Sequence, residues 1–496
     1  MTNSLELKTP RQSAARDESS RQPAEMELTA EMEHTDGTRQ IPCEILAAVF
    51  LASLPYDEYP TPESQVAPLV LMRVCRRWRR VVASSCRLWT SLHIAAPSVS
   101  HASSQEGQSG LLSIVDRWLA RSGSLLPLSI SLVSDSFSVL EKQLLCAILP
   151  YAGRWQRLRI RLPWSALEES LLYLAAAGVP KLESVDLDLT FPMEDIEDLS
   201  FLSFLSGRNV RALKLVATNS LPRWPVLWAN LVHLELAQVD TSPALAILRS
   251  CSSLVHLKLL NLEHSRTSAP VCPLPLLRDL CIKSGVGIAL DSFYRTIDAP
   301  VLEKFAFEPG GPSFGSAFPF IPLLVNAGTH LRFLALKVFP GRVFWYLDCL
   351  RRLPSLRDLI LDGVPSDMAK LIPGSFEKPV IAFWRAFIVG GIDQEDLLPQ
   401  LENLELRVSE TALLSDNLLS SIISSRTQQG TRTKLKSLKA RMDRNKERDL
   451  EHTFSGVLDL SLSYSNVVYS ESYGTGRATT CYATGSAALP PSDNPQ

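Results

Sequence analysis

The sequence predicts a mixed α/β chain: a small helical domain followed by an irregular solenoid whose short strands form one parallel, strand-side sheet. Three observations predict it. A short apolar phrase recurs from Trp155 onward, two amphipathic stripes of helical period lie between Ile41 and Val82, and the composition is that of an ordinary globular protein. At 496 residues, 46% hydrophobic and 21% charged, the chain has room for two or more domains and a large core.

Residues 1–39 are polar, charged and poor in aromatics, so they are expected to form a disordered N-terminal arm. Ile41-Pro42 then opens a helix, because a proline at a helix start lacks only an N–H that would have no partner there. Ile45, Leu46, Val49 and Phe50 make one helical stripe, and a loop holding Pro55, Pro60, Pro62 and Pro68 follows. Leu71, Val74, Cys75, Trp78 and Val82 again share one helical face. Arg73, Arg76, Arg77, Arg79 and Arg80 take most of the rest, as a solvated face or as a localisation or nucleic-acid patch. Leu88-Trp89 begins a further apolar segment. Helices this short bury too little to stand alone, so something else is expected to share their core.

At Ile41-Pro42-Cys43-Glu44-Ile45-Leu46, Val74-Cys75-Arg76-Arg77-Trp78 and Leu88-Trp89 the segment 40–93 resembles an F-box, with a longer proline loop than the compact form of that motif. The resemblance implies a function. Ile41, Pro42, Ile45, Leu46, Val74, Cys75, Trp78, Leu88 and Trp89 would include the residues that pack on a Skp-family adaptor and, through it, on a cullin and its RING partner. The chain would be the substrate-recognition subunit of an SCF-type E3 ubiquitin ligase, not itself an enzyme. The alternative is a non-catalytic repeat scaffold without ubiquitin transfer.

A Ser-rich linker is expected over 94–110. Helical spacing returns at Leu111, Leu112, Ile114, Val115, Trp118 and Leu119, Gly123 stands where a C-terminal cap belongs, and the Leu-Pro-Leu-Ser-Ile-Ser-Leu stretch ending at Leu132 alternates as a strand. Asp116 to Leu132 resembles the junction behind the F-box in many fungal proteins.

The recurring phrase is apolar, two variable, apolar, one variable, apolar. It occurs at Trp155/Leu158/Ile160, Leu182/Val185/Leu187, Val210/Leu213/Leu215, Leu231/Leu234/Leu236, Leu254/Leu257/Leu259, Leu277/Leu280/Ile282, Leu302/Phe305/Phe307, Leu331/Leu334/Leu336, Leu356/Leu359/Leu361 and Leu401/Leu404/Leu406, with a degenerate copy at Leu435/Leu438/Ala440. Most intervals fall near the roughly 20–29 residues of leucine-rich repeats, which these copies resemble. The asparagine that usually follows the strand is missing from nearly all of them, so return segments that are helices of uneven length are expected. The solenoid would span 111–445, with 446–496 a C-terminal segment ending in a disordered tail. Within it, Pro373 to Asp393 fills the widest gap as an inserted helix, a candidate lid or cap.

On such a solenoid the residues flanking the core leucines line the strand-side surface. A target-binding face is therefore expected at Arg159, Asp186, Lys214, Glu235, Lys258, Lys283, Lys337, Asp358 and Glu405, with charges alternating from repeat to repeat. Mixed charge suits a protein or peptide better than a polyanion, and it equally suits a solvated face with no dedicated ligand.

A net charge of −2 argues against a globally basic nucleic-acid binder. No run of 18 apolar residues and no apolar leader is present, so no membrane span is expected. Nine scattered cysteines with no CxxC pair read as free thiols in a reducing compartment, in the cytoplasm or nucleus or both. His233 and His256 recur at one repeat's interval, which places them on one face, and neither a metal nor a cofactor is expected. Gly311-Pro312-Ser313-Phe314-Gly315 matches a nucleophile elbow in letters, but Pro309, Pro319 and Pro322 deny it the strand and helix it needs, and a plain loop is expected. The basic run from Arg426 to Asp449 reads as a solvated terminal repeat, or else as a contact for an acidic substrate or a nuclear address.

Overall fold

The computed structural model describes residues 41–464, apart from 56–58, 97–104, 135–138, 163–177, 189–199, 217–222, 264–269, 285–289, 309–319, 339–342, 364–376, 391–395, 408–413, 428–434 and 443–445. The expected N-terminal arm, the loop at Ser313 and the chain beyond Tyr464 lie outside the described residues.

Sixteen strands follow one another among the described residues: β1 (Ser91–Ala95), β2 (Leu128–Val133), β3 (Trp155–Arg161), β4 (Ser184–Asp188), β5 (Ala212–Val216), β6 (His233–Ala237), β7 (His256–Leu262), β8 (Cys272–Pro273), β9 (Asp279–Ser284), β10 (Ile297–Asp298), β11 (Lys304–Glu308), β12 (Phe333–Val338), β13 (Asp358–Gly363), β14 (Asn403–Arg407), β15 (Ser437–Met442) and β16 (Asp459–Tyr464). β8 and β10 pair with each other, and the other fourteen form a single parallel sheet in chain order. Parallel neighbours need a crossover each. Repeating that crossover fourteen strands long coils the chain into a leucine-rich-repeat-like solenoid of mixed helix and parallel sheet.

The helices are α1 (Cys43–Ala52), α2 (Arg76–Ser84), α3 (Gln105–Arg121), α4 (Val139–Ile148), α5 (Thr241–Leu248), α6 (Asp291–Thr296), α7 (Ile321–Asn326), α8 (Val343–Arg351), α9 (Glu377–Arg385), α10 (Asp416–Thr427) and α11 (Leu450–Thr453). Return segments run from helix to single 3-10 turns, as at Trp228–Asn230. Their unevenness follows the uneven repeat intervals.

Register explains the core. Leu158, Val185, Leu213, Leu234, Leu257, Leu280, Phe305, Leu334, Leu359, Leu404 and Leu438 stand beside one another on successive strands, and none is more than 3% exposed. At the strand entrances one carbonyl accepts two N–H groups from the next repeat: Arg211 O takes Val232 N at 2.8 Å and His233 N at 3.0 Å, and Glu303 O takes Arg332 N and Phe333 N in the same way. This relay needs only backbone, so it tolerates the irregular side chains around it.

Four expectations are corrected. The linker placed at 94–110 is structured at both ends, since β1 runs to Ala95 and α3 begins at Gln105. The helix expected over Leu71 to Val82 is broken at Cys75, whose extended backbone and Sγ, 3.5 Å from Trp78 N, cap α2. The turn before that cap carries Val74 outward, 57% exposed. The helix expected within Pro373 to Asp393 is present as α9, but over its described residues it is one more packed return segment and not a lid: it lies between α8 and α10, with Val380, Phe383, Trp384 and Phe387 buried. Finally, the sheet extends past the solenoid expected at 111–445, with β1 before it and β16 after, while the strand expected up to Leu132 is present as β2.

The helical segment is fused to the solenoid and shares its core. Trp89 stands edge-on to Trp118 of α3 at 4.9 Å. Trp89 Nε1 donates to Val82 O at 2.9 Å, and Trp118 Nε1 to Ser91 O at 3.1 Å. The Arg121 guanidinium covers the Trp89 ring at 4.7 Å. Gly123, at φ +70°, ends α3 in the left-handed conformation that a Cβ would strain, and its carbonyl accepts from Arg154. Trp89→Ala should therefore cost about 3–5 kcal/mol of stability, read as an earlier denaturant midpoint for the sheet signal. An unchanged midpoint would show the helical segment to be an independent unit.

Candidate functional site

Each strand turns two residues inward and the one between them outward. The outward residues align as Arg159, Asp186, Lys214, Glu235 and Lys258 on β3 to β7. Neighbouring strands lie about 4.8 Å apart, which brings opposite charges into contact. Arg159 Nε is 2.9 Å from Asp186 Oδ2, Lys214 Nζ 2.9 Å from Glu235 Oε1, and Lys258 Nζ 3.4 Å from Glu235 Oε2. Beyond β7 the same row becomes Cys281, Ala306, Ala335 and Ile360 before charge returns at Glu405.

The nine residues expected on one alternating face therefore divide among three rows. Lys283 and Lys337 stand one step further along their strands, where both ammonium groups reach Glu308 Oε1, at 3.3 and 3.1 Å. Burial pushes the Glu308 carboxyl up, but the hydrogen bonds from Lys337 and Lys283 outweigh it and hold the group below its ordinary value. Asp358 stands one step back and accepts from Asn403, while Glu405 accepts from Arg407 Nε at 2.7 Å. Counting leucines located the outward positions but did not tell which of the three outward rows a given charge occupies.

The charged rows floor a groove of about 510 Å³ running from β3 to β9. Its near end is formed by Tyr59, a residue of the proline loop that nothing in the sequence marked out. Pro60 O accepts from His93 N at 2.9 Å, which fastens that loop to β1, and the Arg157 guanidinium lies 5.6 Å from the Tyr59 ring centre. Burial pushes the Tyr59 hydroxyl up, with Arg157 and Arg159 pulling the other way. Mid-groove, His233 and His256 stack at 4.3 Å with planes 5° apart, and His256 Nδ1 is 3.6 Å from Asp279 Oδ2. Burial, then His256, pushes His233 below its ordinary value, with Asp279 opposing.

At the helical end the residues singled out by the sequence separate into two groups. Ile45 on α1 and Val74 before α2 are 55% and 57% exposed, and Val49, one turn along α1 from Ile45, is 56% exposed. Leu46, Leu88 and Trp89 are sealed in the chain's own core at 1–2% exposure, so they cannot meet a partner on the surface. Pro42 is exposed, Ile41 and Cys75 are half-buried, and Trp78 leans on Phe50 at 4.7 Å. Leucine and tryptophan letters alone do not tell whether an apolar residue packs on its own chain or on another.

The basic run beginning at Arg426 is corrected at its first residue. Arg426 is 3% exposed and donates to Phe387 O at 2.8 Å, Leu398 O at 3.1 Å and Leu397 O at 2.6 Å. Burial pulls its guanidinium down to about 10. It clamps α10 onto the turn behind α9. Among the described residues no group of three or more His, Cys, Asp or Glu is placed to hold a metal, and no helix is long and apolar enough to cross a membrane. Burial pushes the Cys251 and Cys349 thiols up to about 12 and Cys272 to about 11, far from the range in which a thiolate reacts.

No protein-family model matches the sequence, and no curated protein does. Among solved structures the chain is similar to a TLR13–ssRNA13 complex at 12% identity and a TM-score of 0.34, covering 76% of this chain and 45% of that one. It is also similar to the yeast Rad7 and Elc1 complex at 14% identity and a TM-score of 0.31, covering 73% and 89%. A leucine-rich-repeat protein of Leptospira interrogans is matched at 13% identity and a TM-score of 0.23, covering 66% and 90%. The chain spans about half the length of the first of these.

The stacked pair gives a titration to measure. His256→Ala should raise the midpoint of His233 towards the ordinary value of about 6.5, followed through the ring proton signals. Because the folded-state value of His233 is depressed, its neutral ring contributes stability above about pH 6.5 and loses it as the pH falls through the His233 midpoint. A midpoint unmoved by the substitution would rule out the coupling.

Proposed function

We propose that this chain is a non-catalytic substrate-recognition subunit of an SCF-type ubiquitin ligase, with its helical end docking a Skp-family adaptor and its strand face holding a protein target. The observation that carries this reading is the exposure of Ile45 and Val49 on α1, and of Val74 in the turn before α2, while the other sides of both helices are sealed into the shared core. Ile45 and Val49, one helical turn apart, form a neighbouring pair of exposed aliphatic side chains, the kind of grouped apolar surface that a partner covers.

The shared core supplies the mechanical part of the argument. Trp89, Trp118 and Arg121 tie the helical end to the first strands, so a target on the strand face would be held at a set distance from the adaptor. Presenting a target in this way raises its effective concentration near a conjugating enzyme and requires no bond chemistry from this chain. Buried free thiols suit a reducing compartment, hence the cytoplasm or nucleus or both.

A scaffold that joins proteins without ubiquitin transfer is the second reading. It is favoured by the burial of Leu46, Leu88 and Trp89, three residues of the F-box resemblance that the chain uses for its own packing.

Replacing Ile45 and Val74 together by Asp should weaken adaptor binding about 30-fold or more, the scale of one interfacial hot spot. The thermal midpoint should stay unchanged, because both side chains are exposed. Equal recovery of a Skp-family adaptor by wild type and double variant would sink the ligase reading. Recovery of adaptor without cullin would favour the scaffold.

A further inference from the structure

The near end of the groove has a charge balance unlike the rest of the strand face. β3 presents three arginines outward, Arg157, Arg159 and Arg161, against Asp186 and Asp188 of β4. Asp186 Oδ2 serves two of them, lying 2.9 Å from Arg159 Nε and 3.9 Å from Arg161 Nη2. Arg157 has no carboxylate partner among the described residues. Its Nε donates to Ser129 Oγ at 2.9 Å, which orients the group and leaves both Nη nitrogens, the outer fork, without a partner. Tyr59 stands across from it at 5.6 Å from guanidinium carbon to ring centre, its hydroxyl also without a partner among the described residues.

We propose that Arg157 and Tyr59 form an anion subsite that takes one carboxylate, the Asp or Glu side chain of an acidic peptide segment lying along the groove. Charge complementarity selects the ligand. Three guanidinium groups against two carboxylates leave one positive charge, which a single carboxylate neutralises and a phosphate dianion would overshoot. Geometry selects it as well, because the outer fork of a guanidinium whose Nε is already engaged matches the two oxygens of a carboxylate in a bidentate pair. Tyr59 adds a hydroxyl donor and an aromatic wall to a site that is open on its strand side, since Arg157 is exposed. The loop carrying Tyr59 belongs to the helical end, so the subsite is complete only because the two parts of the chain share one body. The inference deepens the reading of the strand face as a target-binding surface.

The test titrates the full chain with three capped pentapeptides, Ala-Ala-X-Ala-Ala, in which X is Asp, phosphoserine or Asn, and follows the arginine guanidinium carbons by NMR. The Asp peptide should shift the Arg157 signal saturably and the Asn peptide should not. Arg157→Gln should weaken Asp-peptide binding about tenfold, the scale of one charge-assisted hydrogen-bond pair. Tyr59→Phe, which removes only the hydroxyl, should weaken it measurably less. Equal responses to Asp and Asn, or an Arg157→Gln chain that binds the Asp peptide as wild type does, would overturn the subsite. Tighter binding of the phosphoserine peptide would overturn its assignment to a monoanion. The Ile45→Asp, Val74→Asp chain should bind the Asp peptide as wild type does, so loss of adaptor binding and loss of the subsite are read separately.

Discussion

No single repeat of this chain can bury its own apolar residues. A strand with two inward leucines and a short return segment exposes both of its broad sides unless another copy covers them, and the protein depends on that mutual covering from β1 to β16. The inward ladder from Leu158 to Leu438 answers it on the core side, and the carbonyl relay at the strand entrances answers it in the backbone. With inward positions and backbone both committed to stacking, the outward rows are what the sheet has left to meet a ligand.

Those rows show what stacking does to charge. Residues far apart in sequence, such as Lys214 and Glu235, come to 2.9 Å because the register sets them side by side on adjacent strands. Each pair is half in water and contributes little to stability. Their effect is on binding: paired charges are largely neutralised, so selectivity falls to the few groups left over. Arg157 at one end, the stacked histidines in the middle and the apolar run from Cys281 to Ile360 are where the face departs from neutral alternation.

The helical end is also shaped by the sheet. Its short helices could not form a core alone, and the solenoid supplies one through Trp118 and the first strands. That arrangement draws Leu46, Leu88 and Trp89 inward and leaves Ile45, Val49 and Val74 outside. A chain whose helical end stood free would have kept more of these residues for a partner, at the expense of a fixed geometry between its two ends.

What the sequence determined by itself was the periodic part. The spacing of inward residues located β3 to β7, β9, β11 to β14 and the degenerate copy in β15, because a parallel strand with one buried face must repeat its apolar pair. Gly123 marked the end of α3 for an equally local reason, the left-handed turn there. Tertiary structure alone decided the rest. Whether Trp89 faces its own chain or another, whether Arg426 lies in water or under three carbonyls, and which outward row Lys283 or Asp358 occupies all depend on what lies across from them. So does the placing of Tyr59 beside Arg157, since two residues nearly a hundred positions apart meet only after the sheet has set the distance between them.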